Sequence, residues 1–131
     1  MPIIKNLLEL NKNWYLFLAV LWLFCITVAS LVSVEIVKEV ESEIEVSDKL
    51  VHGIFYFVNT VLFYCYFKKI NLKRAISKVS LFSFAYGIII ELLQYVLPYE
   101  RSFDLRDIIA NLVGILIAIF LINFYLARRL R

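Results

Sequence analysis

The sequence predicts an all-α integral membrane protein: a four-transmembrane-helix bundle with both termini on the cytoplasmic side. Three observations predict it. Hydrophobic residues make up 63% of the 131-residue chain and charged residues 19%, against roughly half and a quarter in ordinary soluble domains. The apolar excess is gathered into four runs of about the 20 residues that a spanning helix needs. The segments between the runs alternate in charge, which is the pattern of a chain that crosses back and forth.

The N-terminal stretch carries Lys5 and Lys12 against Glu9, and the first run covers 14–34. Lysines, an apolar stretch and the small residues Val28-Ala29-Ser30 can imitate a signal peptide. The run is longer than the 7–15-residue apolar core of such peptides. Trp14, Tyr15 and Trp22 also suit a retained helix, so an uncleaved first helix is expected. Cys25 here and Cys65 in the second run read as small apolar packing groups. Their placement offers no zinc-type spacing, and no disulfide is expected.

The connection at 35–47 is acidic, with glutamates at 35, 39, 41, 43 and 45, and reads as a solvated connector. The second run, 50–67, is entered through Ser47-Asp48-Lys49, where Ser47 or Asp48 can cap the first turn. Asp48, His52, Tyr56 and Asn59 share one helical face. His52 is the only histidine and lies about 6 Å below the helix start, at 1.5 Å per residue.

The second connection holds Lys68, Lys69, Lys73, Arg74 and Lys78 without an acid. It is expected inside, where it suits anionic inner-leaflet lipid. The third run, 79–97, carries a polar stripe of Ser80, Ser83, Gly87, Glu91 and Gln94. Ser83 and Gly87 form a small-xxx-small pair that lets another helix approach closely. The fourth run, 108–126, is entered through Arg101-Ser102-Phe103-Asp104-Leu105-Arg106-Asp107. Asp104, Asp107, Asn111 and Gly114 keep to one face, and acids at this end complement the helix dipole. The tail ends in Arg128, Arg129 and Arg131. Basic residues in short loops stay cytoplasmic, which places both termini inside and the first and third connections outside.

These stripes reach one depth near the outer face. They predict an outward-facing cleft containing His52, Glu91, Gln94, Arg101, Asp104, Asp107 and Asn111. Ionisable groups inside a membrane are costly and mark functional sites by default. The plainer alternative is a set of interhelical hydrogen bonds that only locks the bundle.

The pattern Asp48-Lys49-x-x-His52, then Glu91-x-x-Gln94, then Pro98-x-x-Arg101-x-x-Asp104-x-x-Asp107-x-x-x-Asn111-x-x-Gly114 resembles the VanZ-like family. The resemblance covers 48–120 in three ordered blocks, within one domain taken as 1–131. Ala118 stands where the family pattern favours a second small residue, often glycine. The first helix carries none of these motifs. The resemblance implies a multi-pass protein of the bacterial cytoplasmic (inner) membrane, concerned with the cell envelope. The family's namesake is associated with antibiotic resistance, specifically to teicoplanin.

Three functions follow as expectations. In the first, Asp48, Lys49, His52, Glu91, Gln94, Arg101, Asp104, Asp107 and Asn111 bind an envelope component. Its candidates are a membrane lipid headgroup, a lipid-linked cell-wall precursor or a lipoglycopeptide, with Arg101 gripping a phosphate or carboxylate. In the second, the chain is a small intramembrane enzyme with His52 as general base and Glu91 or Asp107 as partner acid. A variant of it has His52, Glu91, Asp104 and Asp107 hold a divalent cation. In the third, the polar network is structural. Transport fits poorly, because the cleft residues occupy one leaflet. Short basic patches beside lipid give no support to nucleic-acid binding.

Overall fold

The computed structural model describes residues 9–31, 48–97 and 103–126. Among them are four helices and no strand: α1 (Lys12–Leu31), α2 (Asp48–Lys69), α3 (Ala75–Val96) and α4 (Leu105–Leu121). A π-helical turn, Ile122–Leu126, extends α4. Each helix, with that turn added to α4, is long and apolar enough to cross a membrane. Ser47, the acidic 35–47 connection, Pro98, Arg101, Ser102 and the C-terminal arginines lie outside the described residues.

The helices begin earlier than their apolar runs because polar first turns are still helical. Asn11 accepts a hydrogen bond from the Asn13 amide at 3.3 Å, so α1 starts at Lys12 rather than Trp14. Asp104 accepts from the Arg106 amide at 2.8 Å and caps α4, which starts at Leu105 rather than Ile108. The α2 helix takes in Asp48 and Lys49 at one end and Lys68 and Lys69 at the other. Lysines in its last turn complement the helix dipole.

A short turn joins α2 to α3. Leu72 donates to the Phe67 carbonyl at 2.9 Å and Asn71 to the Lys68 carbonyl at 3.0 Å. Asn71 sits between them in the left-handed region, φ 56°. This is a Schellman cap, and asparagine tolerates the conformation better than most residues. Arg74, also left-handed, precedes α3, whose turn begins with Lys78 donating to the Arg74 carbonyl at 3.1 Å. This turn defines the Lys68 end of the bundle. The opposite end, where α2 and α4 start, is the Asp48 end.

The core is layered along the helix axes. At the Lys68 end, Tyr15, Ala19, Phe63, Tyr64, Val79 and Ile122 are among the residues of one apolar cluster. Midway, Ile26, Tyr56 and Ile115 pack under Trp22 and Phe55. Trp22 donates its indole N–H to the Phe55 carbonyl at 3.0 Å, which fastens α1 to α2. Cys65 is buried, as expected of a packing group, but Cys25 faces outward from α1, and both are free thiols. Outward faces are apolar: Phe24, Leu81, Val96 and Phe120 are each about two-thirds exposed or more. Such a surface suits lipid and not water.

The α2 and α4 helices run parallel and make the most extensive contact in the bundle. Their crossing is set by glycine. A Cβ built on Gly114 would stand 2.1 Å from the Gly53 carbonyl oxygen and 2.9 Å from its carbon. One built on Gly53 would meet nothing closer than the Ala110 carbonyl oxygen at 3.6 Å, an ordinary contact. Small residues of this kind let membrane helices approach at backbone distance. Ala118, one turn beyond Gly114, is fully buried on the same face.

The two glycines should therefore respond differently to the same change. Gly114→Ala forces two backbones apart and should cost about 3 kcal/mol or more. Gly53→Ala meets no clash and gains helix propensity, so it should stay within about 1 kcal/mol of wild type. Thermal unfolding in detergent compares them, and equal losses would contradict this account of the crossing.

Candidate functional site at the Asp48 end of the bundle

The glycine crossing brings the first turns of α2 and α4 into register. Lys49 is the hub. Its ammonium donates to Asp104 Oδ2 at 2.9 Å and to Asp107 Oδ1, and it lies 3.6 Å from Asp48 Oδ2. Asp104 is held below the usual carboxylate range, first by the Lys49 ammonium and then by the Arg106 amide.

One turn deeper, His52 Nδ1 and Asn111 Oδ1 are 3.0 Å apart. An amide oxygen only accepts, so Nδ1 donates to Asn111 and Nε2 is the ring nitrogen left to face the rim. That nitrogen faces Asp48 Oδ1 at 3.7 Å and Asp107 Oδ2 at 3.9 Å. Asp48, His52 and Asp107 thus each point one ligand atom into a space no more than 4.8 Å across. The four residues earlier grouped as cation ligands do not come together in this way. Asp104 turns to Lys49, and Glu91 stands behind the trio.

Glu91, on α3, is 1% exposed. Its carboxyl group faces the Asp104 backbone N–H, and no side chain among the described residues bonds either oxygen. Its ionisable neighbours are Asp107, His52 and Asp104. Buried polar atoms are nearly always hydrogen-bonded. The Tyr56 hydroxyl, near Glu91, is buried without a partner among the described residues.

Gln94 is buried too, but it turns to α1, donating to the Ser30 carbonyl at 2.7 Å. Arg101 lies outside the described residues. The site is also less open than the cleft read from the sequence. Asp48, Lys49 and Asp104 are each more than a third exposed at the rim. His52, Glu91, Asp107 and Asn111 behind them are buried. The stripes converge because α3 packs closely here: a Cβ on Gly87 would lie 3.1 Å from Asn111 Nδ2 and 3.2 Å from the Tyr56 ring.

A second polar layer lies deeper. Asn59 and Thr60 donate to Ser83 Oγ at 3.1 and 3.2 Å. Ser80 bonds to its own helix at the Ile76 carbonyl and to no other helix among the described residues. Sequence reasoning assigned Lys49 no specific partner and passed over Gly53 and Ser30. The usable signal for Gly53 was scarcity: the chain has three glycines, and all three lie inside helices.

Lys49 tests the charge arrangement. Lys49→Met strands the buried Asp107 carboxylate and should cost on the order of 1.5–3 kcal/mol, the range for hydrogen bonds to charged groups. Because the folded pKa of Asp104 is depressed, its contribution to stability is present above the unfolded value of about 3.9 and is lost as pH falls through the folded value. Thermal unfolding of wild type should weaken across that acid range. In Lys49→Met the Asp104 share of this dependence should shrink, and a carboxyl carbon titration by NMR should show its pKa returning upward.

No curated protein and no solved structure matches the chain. A family model described as VanZ/LLP1 matches residues 11–126. This extent exceeds the 48–120 motif region and takes in α1, whose Trp22 and Ser30 hold α2 and α3 without forming a legible motif. With the match running through all four membrane-length helices, the chain belongs to the VanZ/LLP1 family.

Proposed function

We propose that this VanZ/LLP1-family protein binds the polar head of an envelope component in the outer half of the bacterial inner membrane. The candidate ligands are a lipid headgroup, a lipid-linked cell-wall precursor and a lipoglycopeptide. The observation that carries the reading is the graded site at the Asp48 end. Charged groups at the rim give way within one helical turn to buried His52, Asp107 and Asn111 and to Glu91, which no side chain among the described residues bonds. Polar groups used only to lock helices would satisfy one another, as Asn59, Thr60 and Ser83 largely do deeper in the bundle. Glu91 does not.

In this reading residues 1–131 form one domain with both termini cytoplasmic. The support is the charge of the connections: Lys68, Lys69, Lys73, Arg74 and Lys78 flank the Lys68 end. The Asp48 end then meets the outer leaflet. Lys49, with Arg101 from the connection before α4, supplies positive charge for a phosphate or carboxylate. A role in teicoplanin resistance follows as the family-level extension of the same reading.

The enzymatic alternative has one specific observation in its favour. His52 Nε2 lies near two carboxylates while its Nδ1 is fixed by Asn111. That is the arrangement of an oriented base. A headgroup hydrolysed on incubation with purified protein would favour it over binding alone.

The test uses full-length protein reconstituted with envelope lipids. Arg101→Ala and Glu91→Gln should each weaken retention of the bound headgroup about 10- to 100-fold, the loss of one charge-assisted contact. In cells they should alter teicoplanin susceptibility if the extension holds. Folded variants with wild-type lipid retention would refute the binding reading. An introduced single cysteine near Asp48 should label from outside intact cells, and one near Lys73 only after permeabilisation.

A further inference from the structure

We propose that Asp48, His52 and Asp107 hold a divalent transition-metal ion of the zinc class at the Asp48 end of α2 and α4. The donors are one imidazole nitrogen and two carboxylate oxygens, a set that suits zinc and its neighbours. His52 Nε2 lies 3.7 Å from Asp48 Oδ1 and 3.9 Å from Asp107 Oδ2. All three ligand atoms fit within 4.8 Å of one another. With bonds of about 2.0–2.2 Å, an ion between them needs only a modest inward swing. Asp48 can make that swing, since its side chain is half exposed, while His52 and Asp107 are held in place by the packing around them.

The surroundings orient the two buried ligands. Asn111 accepts from Nδ1 and so leaves Nε2 as the nitrogen that a metal can take, the arrangement found behind most metal-bound histidines. Lys49 takes Asp107 Oδ1 and leaves Oδ2 turned toward His52. Nε2 and one oxygen of each carboxylate therefore face one another across the site.

Glu91 supplies an independent observation. It is 1% exposed, it faces the Asp104 backbone N–H, and no side chain among the described residues bonds either of its oxygens. Its ionisable neighbours are Asp107, His52 and Asp104. Four carboxylates therefore share this end of the bundle, and Lys49 is the one lysine ammonium bonded among them in the described residues. A divalent cation in the trio supplies the positive charge that this excess of carboxyl groups calls for. Three protein ligands leave coordination positions open toward the rim. An oxygen of an anionic headgroup can take one of them, a step that rests on the headgroup reading above. Metal binding itself does not depend on that reading.

The test is metal binding by the full-length protein in lipid-free detergent. After chelator treatment and dialysis against Zn²⁺ or Mn²⁺, elemental analysis should find one ion per chain, with Zn²⁺ held more tightly. Co²⁺ in its place should give a visible absorption band that reports nitrogen and oxygen ligation. His52→Ala should weaken binding at least tenfold, and Asn111→Ala, which removes only the group orienting His52, about 10- to 100-fold. Circular dichroism identifies the variants that keep their helices. A folded wild-type chain that takes up no stoichiometric ion overturns the proposal, as does a folded His52→Ala that binds as wild type. Should His52→Ala fail to fold, the wild-type stoichiometry and the cobalt spectrum decide. Headgroup binding that persists in excess chelator would keep the headgroup reading and remove the bridging role of the metal.

Discussion

The close parallel contact of α2 with α4 governs the rest of this protein. Gly114 lies so near the Gly53 carbonyl that no side chain fits between them. Once the two backbones meet there, the residues above follow in step. Lys49 reaches Asp107 and His52 reaches Asn111 at nearly constant sequence offsets of 58 and 59. A wider crossing would move every one of these pairs beyond hydrogen-bond distance, because such bonds weaken steeply outside about 3.2 Å. The charged end of the bundle is thus a consequence of an uncharged contact.

Polarity is graded along the bundle axis. At the Lys68 end, aromatic and aliphatic side chains pack beneath a basic turn. Midway, Asn59, Thr60 and Ser83 bond across α2 and α3. At the Asp48 end, carboxylates dominate, and Lys49 neutralises some of them from the rim. Mid-bundle hydrogen bonds of this kind contribute modestly, of order 1 kcal/mol each. Buried carboxylates at the Asp48 end oppose folding unless something compensates them, which separates that end from ordinary helix-packing polarity.

Much of this was legible because helical period constrains facing. Asp48, His52 and Asn59 on α2, Glu91 and Gln94 on α3, and Asp107, Asn111 and Gly114 on α4 each share a face by spacing alone. Helix ends were less legible. An apolar run stops at the first polar residue, whereas a helix continues through capped polar turns, as Asp104 and Asn11 show. Partners were least legible. Gln94 lies on the predicted stripe yet bonds to a backbone carbonyl of α1, and a carbonyl carries no residue-type signature.

From the sequence alone came the four membrane-length helices, the faces on which their polar residues lie and the order of the motif blocks. Apolar length and helical period are local properties, so a linear text holds them. The tertiary structure decided which groups meet. It gave Asp104 and Asp107 to Lys49, His52 to Asn111, and Gln94 to Ser30, and it buried Glu91 beside the acid and histidine cluster with no side-chain partner among the described residues. Those outcomes turn on the distance between backbones at Gly53 and Gly114. That distance belongs to two helices packed together and is written in neither one.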